Sequence, residues 1–285
     1  MITGKGCKIG NLKILGKGEI ILGDGVIIGD NVIINVSEML MIGDRSIIGD
    51  NFVIEGRYIK IGKEFWSGRN CQIGGGSCQE KASSLTIGDQ CHLGNYGSIN
   101  TARKVIIGNE VGLGEGTKVY THGAYLSFLD GFPAEFGSIT IEDRVWCPNA
   151  MIMPNVTIGH DTVVGAGAII TKNLPSGCLA VGIPAKVIKE NCYPKKLSDE
   201  EFQSKMNEFI THFKNDIVDI EIMKMYEGPF KQRVVYVGHR LTKFDFENMS
   251  IDGPATEGTE KFKNELRRYG VRFKYYNNDG AYVAW

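Results

Sequence analysis

The chain has 285 residues, of which 42% are hydrophobic and 23% are charged, so it can bury a real core and is not expected to be wholly disordered. Its formal net charge of −1 provides no broad attraction for phosphate backbones or anionic lipid, and a nucleic-acid partner is therefore not expected. No apolar run approaches the roughly 18 to 20 residues that cross a bilayer, and residues 1–5 contain no apolar segment typical of a signal peptide.

The six-residue repeat is the main feature of the N-terminal two thirds. Residues 42–47 (IGDRSI) are followed without a gap by residues 48–53 (IGDNFV). Aliphatic residues at this spacing, each followed by a small residue and turn-forming polar residues, match neither a helix nor a simple strand alternation. The pattern predicts an all-β solenoid, a parallel β-helix of the hexapeptide class with one stacked aliphatic core. Further repeats begin at Ile9, Leu22, Ile28, Ile61, Ile73, Ile87, Leu93, Ile107, Leu113, Ile158 and Val164.

The repeat is interrupted between residues 121 and 138. This segment contains Tyr125, Phe128, Phe132 and Phe136, which make it too aromatic for a bare turn. A loop of this length inside a compact repeat is usually functional or disordered, and aromatic content argues against disorder. We therefore predict a functional excursion from the β-helix.

A small α+β appendage is predicted after the repeat stops at Pro184. Ser198 and Glu201 form a capping-box pattern that opens an amphipathic helix. The helix is expected to end at Gly228, and a second one is expected over residues 257–269. We predict a β-helix domain at 1–190 and an α+β domain at 191–285. The first helix has its apolar face at Phe202, Met206, Phe209, Phe213, Ile217 and Ile220, and strands are expected at 234–237, 243–246 and 271–276.

The seven cysteines are odd in number and contain no Cys-x-x-Cys pair. Reduced thiols in a cytoplasmic protein fit this pattern better than a disulfide framework or a zinc site. Cys147 is a candidate nucleophile, but no basic residue adjoins it in the sequence. The alternative is that the cysteines are small buried hydrophobic residues.

Histidine is the side chain best suited to act as a general base near neutral pH, because its unperturbed pKa is about 6.5. Among the five histidines, His160 occupies a turn position of a regular repeat and His92 lies within a coil. His122 differs because it stands at the start of the excursion, where it would point from a rigid wall into a cleft. We predict His122 as a general base, the alternative being a loop histidine satisfied by a backbone carbonyl.

Several passages resemble one protein family. They are residues 114–122 (GEGTKVYTH), 145–150 (VWCPNA) and 165–175 (GAGAIITKNLP), followed by 182–188 (GIPAKVI). Together with the repeat, these passages resemble the hexapeptide-repeat acyltransferases, which include maltose, galactoside and xenobiotic acetyltransferases. The match is close over about residues 85–190 and looser before them.

The resemblance implies a left-handed β-helix that assembles as a homotrimer, with acetyl-coenzyme A in the groove between neighbouring subunits. It implies that His122 removes a proton from an acceptor hydroxyl or amine as this group attacks the thioester. Glu135 resembles the acidic residue that contacts the acceptor or orients the histidine, the alternative being a solvated loop charge. No metal is expected.

The coenzyme side is assigned to the last coils. Gly165, Ala166 and Gly167 leave a shallow channel that a pantetheine arm could follow, the alternative being tight packing between coils. The resemblance implies that Lys172 and Lys186 meet the nucleotide phosphates.

The tract after Trp146 departs from the family pattern, because it is shorter and Pro148 has no N–H to donate. Trp146, Asn149 and Ala150 are still expected at the coenzyme. The oxyanion that forms during transfer would then be bound by Asn149 or by the amide of Ala150.

The acceptor side is assigned to two regions. Asn95, Tyr96 and Asn100 lie where sugar-modifying relatives place polar ligands, although turn asparagines are common without any ligand. In the excursion, Tyr125 and Asp130 are further candidates, since aromatic faces stack on the apolar faces of sugars.

The leading hypothesis is an acetyl-coenzyme A dependent transferase acting on a sugar hydroxyl or amine, such as a nucleotide-linked sugar or a bacterial surface polysaccharide precursor. A serine or another small acceptor is an alternative within the same chemistry. Zinc-dependent hydration is a second class, because some carbonic anhydrases share this fold, but His92 and His122 have no third histidine in neighbouring coils. The third is a non-catalytic scaffold whose appendage binds another protein.

Overall fold

The computed structural model describes residues 1–216, 233–238, 242–278 and 280–284. Its internal contacts divide the chain into two compact units, Met1–Lys195 and Lys196–Trp285. Each unit has its own buried apolar core.

The first unit is a stack of coils made of short strands, with one 3₁₀ turn at Phe128–Asp130. Most of its strands have two to four residues, because a turn follows each aliphatic pair of the repeat. The strands are β1 (Ile2–Thr3), β2 (Lys8–Ile9), β3 (Leu12–Ile14), β4 (Glu19–Leu22), β5 (Ile27–Ile28), β6 (Val32–Ile42), β7 (Ile47–Ile48), β8 (Val53–Ile61), β9 (Trp66–Ser67), β10 (Gln72–Gly74), β11 (Leu85–Ile87), β12 (His92–Leu93), β13 (Ser98–Asn100), β14 (Val105–Ile107), β15 (Gly112–Leu113), β16 (Lys118–Val119), β17 (His122–Gly123), β18 (Glu135–Phe136), β19 (Ile139–Ile141), β20 (Trp146–Cys147), β21 (Met151–Ile152), β22 (Thr157–Ile158), β23 (Val163–Val164), β24 (Ile169–Ile170), β25 (Leu179–Val181) and β26 (Lys186–Lys189).

Parallel pairing places each strand beside the equivalent strand of the next coil. One sheet runs in the order β2-β5-β7-β9-β12-β15-β20-β23-β25-β26, and its last pair is antiparallel. A second, 14-stranded sheet has two arms that meet at β8, one running through β11, β14, β19 and β22 and the other through β10, β13, β16, β21 and β24. The predicted parallel β-helix is confirmed.

Aliphatic ladders form the core of the first unit. In one of them Ile54, Ile73, Ile99, Val119 and Ile152 pair in register from coil to coil. Each of these side chains is at most 1% exposed. Since neighbouring strands lie about 4.8 Å apart, each coil adds one layer to a continuous apolar column.

The polar positions of the repeat form the corners. Asn31, Asn51 and Asn70 have φ angles of 57°, 57° and 56°, a left-handed conformation that asparagine tolerates better than most residues. Their side-chain amides join successive coils, with Asn31 Nδ2 donating to Asn51 Oδ1 at 3.3 Å and Asn51 Nδ2 donating to Asn70 Oδ1 at 3.1 Å. The corners are therefore tied together by side chains as well as by the backbone.

One corner departs from the repeat in two separate coils. Residues 75–84 separate β10 from β11, and residues 120–138 separate β16 from β19. Both insertions link the same two arms of the 14-stranded sheet, so they emerge on one edge of the solenoid. The longer insertion contains the antiparallel hairpin β17–β18.

The second unit combines two helices with a five-stranded antiparallel sheet in the part that the structure describes. Strands β29 and β31 were not predicted. Gly253 and Pro254 in β29 are residues that are uncommon inside strands. The elements are α1 (Asp199–Asp216), β27 (Val234–Val237), β28 (Thr242–Asp245), β29 (Ser250–Pro254), α2 (Glu257–Arg268), β30 (Tyr275–Asn278) and β31 (Ala281–Ala284), with sheet order β27-β28-β29-β31-β30.

The capping box predicted for the first helix is present. The backbone N–H of Ser198 donates to Glu201 Oε2 at 2.8 Å, and the backbone N–H of Glu201 donates to Ser198 Oγ at 3.2 Å.

The side chain of Phe213, residues Ile217 and Ile220, and the predicted end at Gly228 lie outside what the structure describes. Within the described ranges, no helix is both long and apolar enough to cross a membrane.

We expect Ile99→Ala to lower the free energy of unfolding by about 2–5 kcal/mol, because it removes buried methylene groups and leaves a cavity between two coils. Chemical denaturation followed by circular dichroism measures the change. Ser98→Ala, at the neighbouring half-buried position, is the matched control and should change stability by about 0.5 kcal/mol or less. A loss of less than about 1 kcal/mol for Ile99→Ala would contradict the role of the ladder.

Candidate functional site

His122 lies where the chain leaves the solenoid. It opens β17, which pairs with β18 so that His122 is opposite Phe136. The preceding residue, Thr121, is fully buried in the wall, whereas His122 is half-buried. The backbone is thus anchored by a coil on one side and by the hairpin on the other.

Asn100 holds the imidazole of His122 through Nδ1, which lies 2.9 Å from Asn100 Oδ1. The orientation of the Asn100 amide is set separately, because its Nδ2 donates to the carbonyl oxygens of Gly74 at 3.1 Å and Gly76 at 3.4 Å. An amide oxygen can only accept, so Nδ1 of His122 carries the hydrogen. In the neutral ring Nε2 then keeps its lone pair and can accept a proton.

Further donors fix the Asn100 oxygen in place. The backbone N–H of Ala102 donates to Asn100 Oδ1 at 3.2 Å, and the hydroxyl of Thr121 donates to the same atom. The Thr121 hydroxyl in turn accepts the backbone N–H of Arg103 at 3.2 Å. This network ties the imidazole to the coil that precedes it.

The ring of Phe136 stacks on the imidazole of His122, with centroids 5.6 Å apart and planes 15° from parallel. The guanidinium carbon of Arg103 lies 4.5 Å from the centre of the Phe136 ring, and Arg103 Nη1 lies 3.2 Å from Glu80 Oε2. A hydrogen bond from Ser77, together with Arg103, holds the pKa of Glu80 below its ordinary value. Side chains from three separate segments therefore meet around His122.

Nε2 of His122 faces the shorter insertion. A Cβ on Gly76 would lie 3.4 Å from Nε2, so this glycine lies directly beside the Nε2 edge of the ring. Gly74 and Gly75 have φ angles of 122° and 94°, which side chains rarely allow. No role was predicted for this segment, although the run of three glycines directly after Ile73 was a usable signal.

The other candidates in the excursion lie around this corner. Glu135 is opposite Gly123 in the hairpin, and its Oε1 accepts a hydrogen bond from Asn155 Nδ2 at 3.2 Å. Tyr125 is 99% exposed, and Asp130 is exposed in the 3₁₀ turn. The hairpin register places Phe136, rather than Glu135, against the imidazole.

Asn95 and Tyr96 form the turn of a regular coil. Asn95 Oδ1 accepts the backbone N–H of Arg69 at 3.0 Å, as turn residues do elsewhere in the solenoid. Tyr96 has a φ of 58°, and its carbonyl accepts from Lys118 Nζ at 2.7 Å. Of the three acceptor-side candidates in the coils, the structure brings Asn100 to His122.

The tract around Pro148 is part of the solenoid wall. The Trp146 ring is 43% exposed and lies over Gly112, where a Cβ would be 2.4 Å from it. Asn149 occupies a left-handed turn with a φ of 53°. Ala150 is buried, and its N–H donates to Thr117 Oγ1 at 3.3 Å. The amide of Ala150 is therefore already used inside the wall.

The surface formed by the last coils is open. Ala166 and Gly167 are exposed, and a Cβ on Gly167 would meet nothing within 4 Å. Gly165 is half-buried and its N–H donates to the next coil. Lys172 and Lys186 are both exposed, with Lys186 opening β26.

The side chains of His92, His160 and Cys147 are packed or hydrogen-bonded within the solenoid. His92 stacks on Trp66 with ring centroids 4.4 Å apart, and His160 Nδ1 lies 2.7 Å from Asp161 Oδ2. Burial raises the pKa of the Cys147 thiol to about 12, so it stays protonated near neutral pH and is not a nucleophile. Among the described residues, no group of three or more His, Cys, Asp or Glu side chains is arranged to hold a metal ion.

Comparison with known proteins finds acetyltransferases. A Schizosaccharomyces pombe protein provisionally named an acetyltransferase is 43% identical over 89 residues, which cover 30% of this chain and 43% of the relative. The galactoside O-acetyltransferase of Escherichia coli is 47% identical over 53 residues, covering 18% of this chain and 26% of the relative. The resemblance to hexapeptide-repeat acetyltransferases is confirmed. No protein-family model matches the chain.

A solved structure shares the fold. The UDP-N-acetylglucosamine acyltransferase of Campylobacter jejuni aligns with a TM-score of 0.50 and 14% identity, covering 75% of this chain and 82% of that protein. The chain spans less than half of the two sequence relatives, 43% and 26% of their lengths.

We expect Asn100→Ala to remove the acceptor for Nδ1 and to leave His122 as a mixture of its two neutral tautomers. Nitrogen-15 NMR of histidine-labelled protein distinguishes the tautomers, with the His122 signals identified by their loss in His122→Gln. Asn95→Ala is the matched control, because Asn95 joins coils at a different corner. An unchanged tautomer ratio in Asn100→Ala would refute the hydrogen-bond assignment.

Proposed function

We propose that this chain transfers an acetyl group from acetyl-coenzyme A to a hydroxyl or amine of a sugar or sugar-containing acceptor, with His122 as the general base. The observation that carries the proposal is the orientation of His122, whose Nδ1 is bound to Asn100 and whose Nε2 faces Gly76 of the shorter insertion. Similarity to named acetyltransferases supports the same chemistry.

In the proposed reaction, Nε2 of His122 removes the proton of the acceptor O–H or N–H as its oxygen or nitrogen attacks the thioester carbonyl. Collapse of the tetrahedral intermediate breaks the carbon–sulfur bond and leaves the acetyl group on the acceptor. The protonated Nε2 then returns its proton to the departing thiolate, so the ring ends neutral. The Nδ1–H bond to Asn100 persists throughout and keeps Nε2 aimed at the reacting atoms.

For the acetyl donor, we assign the pantetheine arm to the surface at Gly165, Ala166 and Gly167. The open space outside Gly167 supports this assignment. The exposed ammonium groups of Lys172 and Lys186 are free to turn toward nucleotide phosphates. Two residues do not donate a hydrogen bond to the oxyanion. Pro148 has no N–H, and the N–H of Ala150 already donates to Thr117.

For the acceptor, the aromatic side chains of the excursion support a sugar. Tyr125, Phe128 and Phe132 are 99%, 67% and 47% exposed, and flat apolar rings of this kind can stack on sugar faces. Asp130 and Glu135 lie on the same excursion and offer carboxylates to sugar hydroxyls. The galactoside O-acetyltransferase relative is named for a sugar acceptor.

The proposal includes a homotrimer. A column of outward-facing side chains follows the sheet that begins at β2. It contains Ile27, Ile47, Trp66 and His92 and, beyond Gly112, Trp146. The two tryptophans are 44% and 43% exposed. An apolar column of this kind on a flat sheet is typical of a surface that packs against another chain.

We expect His122→Ala to lower the turnover number by on the order of 10²-fold or more, because the acceptor then has no positioned base. The binding of acetyl-coenzyme A should be unchanged, since His122 is assigned to the acceptor. Thiol release from acetyl-coenzyme A measures turnover, and calorimetry measures binding. Unchanged turnover would refute the role of His122.

The same thiol-release assay, run with a panel of sugars, nucleotide-linked sugars and amino acids, identifies the acceptor class. Turnover with sugars supports the proposal. Turnover with amino acids alone would replace the sugar class by a small non-sugar acceptor. If the protein binds acetyl-coenzyme A but releases no thiol with any acceptor, the proposed acceptor chemistry is overturned.

We expect a solution mass three times that of the 31.4 kDa chain, measured by light scattering coupled to size exclusion. Replacing Trp66 and Trp146 together by serine should shift the mass toward the monomer, because the column loses its largest apolar groups. Ile188→Ser is the control, since Ile188 is 55% exposed but lies outside the column. A monomeric unsubstituted protein would exclude the trimer.

A further inference from the structure

We propose that Arg103 and Phe136 are positioning residues for His122, acting together to set the plane of its imidazole. This inference rests on the proposed function, in which Nε2 of His122 must be aimed at an acceptor. In the sequence, Phe136 is only one of several aromatic residues of the excursion, and Arg103 carries no signal that points to the site. Their role follows from how three segments converge on one ring.

The contacts form a continuous stack. The imidazole and the Phe136 ring are 15° from parallel with centroids 5.6 Å apart, and the Arg103 guanidinium carbon lies 4.5 Å from the same Phe136 centroid. A planar guanidinium suits this arrangement, because it packs on an aromatic face through both charge and shape. Phe136 is thus held by Arg103 while it contacts His122.

Arg103 is itself fixed at three points. Its Nη1 donates to Glu80 Oε2 at 3.2 Å and to the carbonyl oxygen of Ala102 at 2.7 Å. Its backbone N–H donates to Thr121 Oγ1 at 3.2 Å. The side chain of Arg103 is 29% exposed. Arg103 therefore links the insertion at 75–84, the corner after Asn100 and the hairpin of the excursion.

The stack supplies a restraint that the hydrogen bond to Asn100 does not. A bond at Nδ1 holds the imidazole at one atom only, so a ring without further support can tilt out of line with Asn100 and weaken that bond. A flat contact against Phe136 restricts the tilt. Together the two contacts determine the direction of Nε2, and small misplacement of a reacting group can cost up to about 10²-fold in rate.

The ring of Phe136 is only partly covered, so its contact with Arg103 contributes to its placement. Phe136 is 41% exposed and belongs to a two-residue strand whose partner strand contains His122 itself. The rest of the excursion exposes its apolar side chains, as at Leu129, which is 81% exposed. The guanidinium of Arg103 joins the ring of Phe136 to the corner that follows Asn100.

The test compares Arg103→Met and Phe136→Leu with two matched controls. Arg45→Met removes another arginine that pairs with a glutamate of the next coil, with Arg45 Nε 3.0 Å from Glu64 Oε1. Leu129→Ala removes another exposed apolar side chain of the excursion, one that is not assigned to the acceptor. Phe136→Tyr keeps the flat ring and serves as the conservative variant.

We expect Arg103→Met and Phe136→Leu to lower kcat by about 10- to 100-fold while the KM for acetyl-coenzyme A changes by less than about twofold. Phe136→Tyr should keep kcat within about threefold, as should the two controls. Equal losses in the controls would show a merely structural effect and overturn the proposal. Unchanged kcat in both Arg103→Met and Phe136→Leu would also overturn it.

Nitrogen-15 NMR of the His122 ring gives a readout that needs no turnover. In Arg103→Met and Phe136→Leu the share of the Nδ1–H tautomer should fall, because a tilting ring loses its bond to Asn100. An unchanged share would overturn the proposal even if the protein proves inactive. If the unsubstituted protein transfers no acetyl group, the proposed function fails, while the NMR result still decides the positioning role. Arg103→Lys, which keeps the charge but not the plane, replaces Arg103→Met if that variant does not fold.

Discussion

The register between successive coils is the constraint on which the rest of the molecule depends. Backbone hydrogen bonds hold neighbouring strands about 4.8 Å apart, and inward aliphatic residues such as Ile73 and Ile99 stack without a shift. A residue's neighbours in space are therefore set by its place in the coil. Asn100 meets Gly76 and His122 although it is 24 and 22 residues away from them, because all three occupy the same corner.

The site uses this rigidity at the point where the repeat is broken. Thr121 is buried in the wall and His122 follows it directly into the hairpin, so the ring is carried by a stiff support and contacted by a loop. A base that must aim one nitrogen at a substrate benefits from this combination. The wall supplies Asn100 as the hydrogen-bond acceptor for Nδ1, and the loop supplies Phe136.

The sequence located His122 correctly at the break in the repeat but did not predict its surroundings. Asn100 was predicted to bind the acceptor substrate, and in the structure its amide oxygen faces the imidazole. Glu135 was predicted to contact the acceptor or to orient the histidine, and in the hairpin Phe136 rather than Glu135 lies opposite His122. The hairpin register decides this difference, because a shift of one residue exchanges the side chain that lies opposite His122.

The amino-acid sequence by itself determined the solenoid, its aliphatic core and the coil at which the chain leaves it, since these follow from a periodicity written in consecutive residues. Only the tertiary structure decided which nitrogen of His122 is bound to Asn100, which aromatic ring stacks on the imidazole and which guanidinium contacts that aromatic ring. Those contacts join residues of different coils, and their pairing depends on how far each insertion folds back over the corner. The spacing of residues along the sequence does not predict that distance.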